Sequence, residues 1–411
     1  MRILQLTGYF FPEKAASIYM EDNRLQAFAD NDIDTLIYAS RPTRGLDQET
    51  YNAYKDRYYE VLYDGHVFVH RFPMYREGRN PVLRALRYLF CWLFQLFLGL
   101  KAKNVDCVYL LSTPPIQGLL GAFIKKIRHI PFIYNLQDIF PDSLVGTGLA
   151  KKGGLLWKIG RVIENFTYKH ADKIIVISED FKRNIMAKGV PEEKIEVVYN
   201  WVDQNAVVNV PRSENKLFAK YDLDPSKFYL SYCGNIGLTQ NMDMLLEIMQ
   251  DLSVDFPDIH LVLVGEGAYK GNVEAFVAKH NLSNVHLLPF QPYEDISQVF
   301  SLGDAGLVIS KPGVGANSVP SKTWSIMSAS RPVLASFDEN ELKDIVESHR
   351  CGLFSKAGDK EAFRSSIVQL YKDTDLCKEM GTNGRAFVMQ NLTKEVGTKK
   401  YVDVINKVMG K

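Results

Sequence analysis

The chain has 411 residues, of which 46% are apolar and 24% are charged, as in a soluble globular protein long enough for two or three domains. This composition excludes a disulfide-stapled miniprotein, a collagen and a wholly disordered chain. Forty-nine basic and forty-eight acidic residues leave a formal net charge of +1, which does not indicate the strongly basic surface of a general nucleic-acid binder. We therefore expect no nucleic-acid partner.

The cysteines and the first residues bear on the compartment. The five cysteines are widely spaced, with no Cys-x-x-Cys pair and no histidine at metal-ligand spacing, which predicts a reducing compartment and no structural zinc. The apolar stretch from Met1 to Leu6 is too short for a signal peptide and is followed by no cleavage site. We expect a buried strand there.

Short runs rich in β-branched residues alternate with segments of helical spacing along the whole chain, a pattern typical of parallel sheets covered by helices. Strands are predicted at 2–7, 34–39, 67–72, 107–111, 132–136, 173–177 and 195–199, and then at 229–233, 260–264, 285–288, 305–309, 332–336 and 352–354. The polar segment 201–224 lacks sustained periodicity and contains Pro211. We therefore predict an α/β fold of two Rossmann-like, doubly wound domains facing each other across a cleft, 1–203 and 204–390, with a helix in 391–411 packing back on the first.

Ligands of open parallel sheets bind at the carboxyl ends of the strands, so the strand-to-helix loops are where function is expected. After the first strand, Ala15, Ala16 and Ser17 open a helix and are small enough to let the backbone approach a ligand. Close packing of this loop on its helix explains the same residues equally well.

A second loop of the first domain is richer in polar groups. Gln137, Asp138, Asp142 and Ser143 follow a predicted strand and surround Pro141. Two carboxylates at the ligand edge of a sheet are suited to binding a hydroxyl or transferring a proton, and we assign Asp138 as the catalytic candidate. The alternative is that both aspartates cap the next helix.

Two glycine-containing loops follow strands of the second domain. Gly234, Asn235, Gly237 and Gln240 combine turn-forming glycines with uncharged hydrogen-bonding side chains. The next strand runs into Gly265, Glu266 and Gly267. Each loop alone is weak evidence, whereas two that converge on one sheet edge predict a ligand site.

The segment 311–322 is the strongest indication of an anion site. It contains Gly313 and Gly315, then Ser318, Ser321 and Lys322 at a predicted helix start, where free amides, hydroxyls and an ammonium group would favour a diphosphate. It is not a Walker loop. The alternative is a long surface loop in which a serine caps the helix.

Three residues after the strand at 285–288 could form an apolar seat for a nucleotide base. They are Phe290, Pro292 and Tyr293. Packing in the core explains them equally well.

The segment 82–103 is almost wholly apolar between Tyr88 and Leu100, but this run is shorter than the roughly twenty residues of a bilayer span. Basic residues dominate from position 76 to 128: Arg76, Arg79, Arg84, Arg87, Lys101, Lys103, Lys125, Lys126 and Arg128. Aromatic and basic character together favour a helix that lies on an anionic lipid surface. The alternative is a buried domain helix with solvated ends.

As an ordered set, these loops resemble the retaining glycosyltransferases of family 4, which have the GT-B fold, and especially the fucosamine-transferase-like branch that serves capsule, O-antigen and exopolysaccharide assembly. The resemblance covers nearly the whole chain. It is carried by Tyr9-Phe10-Phe11-Pro12-Glu13, Asp138-Ile139-Phe140-Pro141-Asp142-Ser143, Asn200-Trp201-Val202-Asp203, Gly234-Asn235-Ile236-Gly237, Val264-Gly265-Glu266-Gly267, Val319-Pro320-Ser321-Lys322 and Arg331-Pro332-Val333-Leu334-Ala335.

The resemblance implies that a sugar moves from a nucleotide diphosphate, expected to be a UDP-sugar, to a lipid-linked or growing saccharide, with no cofactor and no obligatory metal. The enzyme would be cytoplasmic, peripheral on the inner face of the cell membrane. The first domain would hold the acceptor, through Ala15, Ala16, Ser17, Gln137, Asp138 and Asp142. The second would hold the donor, through Gly234, Asn235, Gln240, Gly265, Glu266, Gly267, Phe290, Ser318, Ser321, Lys322 and Ser325.

Several positions depart from the pattern of many relatives, among them Ala15 and Ala16, which replace a glycine pair, and Gln137 and Asp138, which occupy the loop of a catalytic histidine. Asn317 and Ser325 replace a Glu-x7-Glu pair, and Asn235 and Gln240 replace an arginine and a lysine used on the diphosphate. Asn317 and Ser325 leave open the alternative of a catalytically impaired partner protein that binds nucleotide-sugar. A nucleotide-sugar epimerase on the same fold is a further alternative.

Overall fold

The computed structural model describes residues 1–13, 18–75, 81–146, 150–315 and 319–411. The chain divides into two compact units, one formed by Met1–Tyr199 with Gly397–Lys411 and the other by Asn200–Val396. Each unit contains one sheet with helices between its strands; the sheet is predominantly parallel in the first unit and wholly parallel in the second. The prediction of two doubly wound α/β domains is therefore confirmed.

The first unit has an eight-stranded sheet in the order β3-β4-β2-β1-β5-β6-β7-β8. Its strands are β1 (Arg2–Thr7), β2 (Asp34–Ser40), β3 (Tyr59–Leu62), β4 (Val67–Phe72), β5 (Cys107–Leu111), β6 (Phe132–Leu136), β7 (Lys173–Val176) and β8 (Ile195–Val197), and its helices are α1 (Ile18–Asp30), α2 (Gln48–Tyr54), α3 (Pro81–Lys101), α4 (Gln117–Arg128), α5 (Asp142–Gly146), α6 (Leu155–His170) and α7 (Glu179–Ala187). All pairings are parallel except that of β3 with β4 at the edge. The strand order reverses direction between β1 and β5.

The second unit has a six-stranded parallel sheet in the order β11-β10-β9-β12-β13-β14. Its strands are β9 (Phe228–Cys233), β10 (Ile259–Val264), β11 (Val285–Leu288), β12 (Ala305–Ile309), β13 (Val333–Phe337) and β14 (Gly352–Lys356), and its helices are α8 (Lys216–Lys220), α9 (Met242–Asp255), α10 (Lys270–His280), α11 (Ile296–Phe300), α12 (Lys322–Ser328), α13 (Glu341–Ser348), α14 (Lys360–Lys372) and α15 (Thr374–Asn391). Here the order reverses between β9 and β12. Such a switch point is where open α/β sheets bind ligands.

The last helix, α16 (Lys394–Val408), contributes its residues from Gly397 onward to the first unit. Tyr401 is buried there, and its hydroxyl accepts a hydrogen bond from Asn135 Nδ2 at 3.0 Å. The same amide group donates to the Tyr109 hydroxyl at 2.6 Å, and the buried Arg24 guanidinium lies 4.5 Å from the centre of the Tyr109 ring. The helix therefore completes a buried polar network in a sheet that lies far from it in sequence.

All thirteen predicted strands are present, with ends moved by at most two residues. Strand β3 was not predicted; it is a four-residue edge strand in which exposed and partly buried side chains alternate. Among the described residues, no helix combines the length and the apolar character that crossing a membrane requires.

Candidate functional site

Three loops leave the carboxyl ends of β9, β10 and β12 at the switch point of the second sheet. Backbone hydrogen bonds join them: the Gly234 amide donates to the Val264 carbonyl at 2.9 Å, and the Lys311 amide donates to the Thr239 carbonyl at 2.8 Å. The loops predicted to converge on one edge therefore do so, and they form one connected layer.

Glycine is required where the β9 and β10 loops touch. A Cβ atom on Gly265 would lie 1.9 Å from the Gly234 carbonyl oxygen, and one on Gly267 would lie 2.2 Å from the Ile236 carbonyl oxygen. The Ile236 amide in turn donates to the Glu266 carbonyl at 2.9 Å. These glycines bring the two loops together, so their lack of a side chain is explained before any ligand is considered.

The polar side chains of these loops have different surroundings. Gln240 Oε1 accepts a hydrogen bond from the Gly237 amide at 3.0 Å, which closes the turn. The exposed Glu266 carboxylate accepts from Lys270 Nζ at 2.6 Å, and Asn235 is exposed. The oxygen of Gln240 and the carboxylate of Glu266 thus already have partners within the loops.

Lys322 is the first residue of α12, and its ammonium group lies 3.6 Å from the centre of the Tyr232 ring at the end of β9. Burial lowers the pKa of Lys322 from its ordinary 10.5 to about 8, against an opposing effect of Cys233. Within the described part of the chain, no carboxylate forms an ion pair with this ammonium group. A poorly hydrated cation at the positive end of a helix, with no negative partner, favours an anionic ligand.

The loop after β12 is oriented by Asp338, which follows β13 directly. Its two carboxylate oxygens accept from the Gly313 amide at 2.9 Å and the Gly315 amide at 2.8 Å, and Asn340 Nδ2 donates to the Gly315 carbonyl at 2.8 Å. The prediction that these two glycines offer free amides to a diphosphate is therefore wrong. Sequence reasoning missed Asp338, although a polar residue at a strand end was the signal used for the other loops.

The remaining predicted donor residues lie around α12 and after β11. Ser321 is exposed just before α12, Ser325 is partly buried one turn after Lys322, and Ser318 lies outside the described residues. Phe290 is 74% exposed and Tyr293 is 61% exposed. The alternative that these two rings pack in the core is therefore wrong, and their faces are accessible to a planar ligand.

The predicted catalytic residue of the first unit lies on a loop held by Ser112. The buried Ser112 hydroxyl accepts hydrogen bonds from the Gln137 amide at 3.0 Å and the Asp138 amide at 3.2 Å, while the Asp138 side chain is exposed. Asp142 begins α5, and its carboxylate accepts from Lys188 Nζ at 2.7 Å. Partial burial raises the pKa of Asp142, but the hydrogen bond and charge of Lys188 outweigh it and the net pKa is lowered.

The β1–α1 loop holds a buried carboxylate that sequence reasoning did not assign. Glu13 accepts from the backbone amides of Phe10 at 3.2 Å, Thr43 at 2.8 Å and Arg44 at 2.9 Å, and burial raises its pKa. It joins this loop to the one after β2. Its neighbours Ala15, Ala16 and Ser17 lie outside the described residues.

Helix α3 buries two polar side chains and exposes several apolar ones. Arg87 is buried and donates to Thr43 Oγ1 at 3.1 Å and the Tyr75 carbonyl at 3.2 Å, and the buried Gln95 Oε1 accepts from Gln117 Nε2 at 2.9 Å. Its outward side chains are about half exposed: Leu83, Leu86, Leu89, Phe90, Leu93, Phe94 and Phe97. The expectation that Arg87 belongs to a lipid-facing basic flank is wrong, and the alternative of a helix buried in the domain explains only its inner face.

The described residues form no cluster of metal ligands. Among them, no three His, Cys, Asp or Glu side chains are grouped so as to hold a metal ion. The five cysteines are free and buried.

Two family models match the chain, one in each half. The model described as glycosyl transferases group 1 matches residues 213–387, and the model described as glycosyl transferase 4-like domain matches residues 25–201. The chain is similar to the probable glycosyltransferase WbjE of Pseudomonas aeruginosa, with 23% identity over 82% of this chain and 84% of that protein. It is also similar to the putative colanic acid biosynthesis glycosyl transferase WcaI of Escherichia coli, with 27% identity over 68% of this chain and 69% of that protein.

Solved structures show the same fold. HepE of Anabaena in complex with UDP has a TM-score of 0.73 at 18% identity, covering 99% of this chain and 100% of HepE. The two family models together match most of the chain, and the curated relatives reported above carry glycosyltransferase names. The chain is an enzyme that belongs to the glycosyltransferases with the GT-B fold.

Proposed function

We propose that this glycosyltransferase moves a sugar from a UDP-sugar to a lipid-linked or growing surface saccharide, with retention at the anomeric carbon. The observation that carries the proposal is Lys322, a cation without an ion-pair partner among the described residues, at the switch point of the second sheet. The structural neighbour HepE was solved with UDP and with UDP-glucose, which supports a nucleotide-sugar donor here.

On the donor side, Lys322 would lie against the diphosphate, with Ser321 and the amino end of α12 beside it. Negative charge grows on the departing UDP as the bond to the sugar breaks, and a fixed ammonium group stabilises that charge. This arrangement needs no metal ion. Phe290, exposed after β11, would stack on the base.

On the acceptor side, Asp138 would orient or deprotonate the acceptor hydroxyl. Its carboxylate is exposed, and two backbone hydrogen bonds to Ser112 fix the loop that carries it. Asp142 is less suited to this role because its carboxylate pairs with Lys188. A carboxylate positioned as a general base typically contributes about 10²–10⁴-fold to the rate.

The proposal extends to the branch of the family and to the place of the enzyme in the cell. We place the enzyme in the fucosamine-transferase-like branch, acting in capsule, O-antigen or exopolysaccharide assembly at the inner face of the cell membrane, to which segment 82–103 would attach it. The colanic acid role in the name of WcaI supports this placement. The comparisons do not favour an impaired binding partner or an epimerase, since both family models describe glycosyl transferases.

The test is UDP release from a panel of UDP-sugars in the presence of membrane extract, with NMR of the product to assign the anomeric configuration. We expect release with at least one donor and its loss in Lys322→Met. Lys360→Met is the matched control, because Lys360 pairs with Asp251 at 3.0 Å on the surface. A folded protein that neither binds nor cleaves any UDP-sugar would refute the proposal.

A further inference from the structure

Helix α6 begins with an apolar face that no described residue covers. Leu155 is 76% exposed and Val162 is 69% exposed, and Leu156 and Ile159 are more than half exposed. These four side chains occupy the first two turns, where a helix of a soluble domain normally presents polar residues to water. An exposed apolar cluster of this kind marks an interaction surface.

This face continues across two neighbouring helices. The Trp92 ring of α3 lies 6.2 Å from the Phe123 ring of α4, which lies 5.4 Å from the Phe166 ring of α6. The helices therefore pack side by side, with α4 in the middle. Ile127 of α4 is 58% exposed, so α3, α4 and α6 all have apolar side chains on their outer surfaces.

The charges on the helices α3, α4 and α6 indicate which kind of partner their outer surface binds. Glu164 is the only acidic residue in the three helices, and it is buried and paired with Arg161 and with Lys188. The exposed charged side chains of these helices are all cationic: Lys101, Lys126, Lys158 and Lys169, with Lys151 and Lys152 exposed just before α6. A second copy of this chain would set cations against cations, whereas an anionic bilayer complements both the charge and the apolar side chains.

We propose that α6 is a second lipid-contacting helix and that it rests with α3 on the same anionic bilayer, an inference that builds on the proposed function. Each helix is attached to an acceptor-side loop. Gly160 of α6 packs so closely on Pro141 that a Cβ atom would lie 2.6 Å from it, and the Tyr88 hydroxyl of α3 lies 3.0 Å from the Tyr9 hydroxyl. The bilayer would thus hold the loop of Asp138 close to the headgroup of a lipid-linked acceptor.

A fluorescent label on α6 tests this directly. Val162→Cys, carrying a polarity-sensitive fluorophore, should shift its emission to the blue when phosphatidylcholine vesicles containing phosphatidylglycerol are added. Leu93→Cys should report the same for α3. Val254→Cys, at an 81% exposed valine of the second unit, is the matched control and should not respond. Labelling is selective because the five native cysteines are buried.

The outcomes separate this inference from the proposed function. A response at position 93 alone overturns the role of α6 and leaves attachment through α3. A response at 162 that needs no vesicles and grows with protein concentration shows that a second copy covers the face, which also overturns it. No response at either position overturns lipid contact altogether, while UDP binding by the same samples still tests the donor site. Replacing Lys151 and Lys152 with glutamine should weaken vesicle binding about fivefold per lysine.

Discussion

Replacing Lys322 with methionine removes a buried positive charge and keeps a side chain of similar length. Burial holds the pKa of Lys322 at about 8 in the folded enzyme, below its ordinary 10.5, so the unfolded chain binds more protons between these two pH values. The stability of the free wild type should therefore rise with pH across this window. The lowered pKa corresponds to a cost of about 3 kcal/mol in folding stability, which the wild type bears at pH 7. Lys322→Met should therefore melt at a higher temperature than wild type at pH 7, and its stability should not rise with pH across this window.

The same substitution should weaken UDP binding. A hydrogen bond to a charged group contributes about 1.5–3 kcal/mol, which is roughly 10–150-fold in Kd. Only the protonated ammonium group makes this contact. With a pKa of about 8, the protonated fraction falls from about nine-tenths at pH 7 to about one-tenth at pH 9, and wild-type affinity should fall about tenfold.

Calorimetric titration with UDP at both pH values, together with thermal denaturation of the free proteins, measures these effects. Lys322→Arg keeps its charge over the whole range, so its affinity should not change with pH. Lys360→Met should behave as wild type throughout. If Lys322→Met binds UDP as tightly as wild type, or shows the same dependence on pH, Lys322 does not contact the diphosphate.

Three further substitutions, two of them paired with a comparison variant, test the rest of the site. Asp138→Asn should lower turnover about 100-fold or more and leave the Kd for UDP unchanged, and full turnover of this variant would show that Asp138 is not catalytic. Asp142→Asn should mainly lower the Tm, because it breaks the 2.7 Å pair with Lys188. Gly265→Ala should lower both Tm and UDP affinity, because its Cβ atom would lie 1.9 Å from the Gly234 carbonyl oxygen. Gly271→Ala is the control, since its Cβ atom would lie in open space, and it should lower neither; equal behaviour of the two variants would contradict the close packing of the loops. Phe290→Ala should keep the Tm, since the ring is 74% exposed, and raise the KM for the donor at least about fivefold by losing a stacking contact of about 1–3 kcal/mol; an unchanged KM would place the base elsewhere.

The strands could be predicted because they are buried and rich in β-branched residues. Every side chain is buried in five of the strands, which are β6, β7, β9, β12 and β13. By contrast, exposed and partly buried side chains alternate in β3, and the strand is held by antiparallel pairing with β4. Its existence depends on a partner strand and not on its own composition.

The loops of the site and Lys322 could be predicted from the sequence, but the partners of the backbone amides in those loops could not. Gly313 and Gly315 have the composition of an anion-binding loop, and only the position of Asp338, more than twenty residues later, decides that their amides point to a carboxylate. The Tyr232 ring beneath Lys322 was missed for a similar reason: the contact depends on how the end of β9 meets the start of α12.

The return of α16 to the first unit has a consequence for biosynthesis. The bond between Asn135 and Tyr401 joins residues 266 positions apart, so the first sheet cannot acquire its full set of buried partners until the second unit has been synthesised. Closing so long a loop is entropically unfavourable and slows folding. On the ribosome, until the last helix emerges, Asn135 would lack its bond to the Tyr401 hydroxyl and Arg24 would lack its contact with the Tyr401 ring.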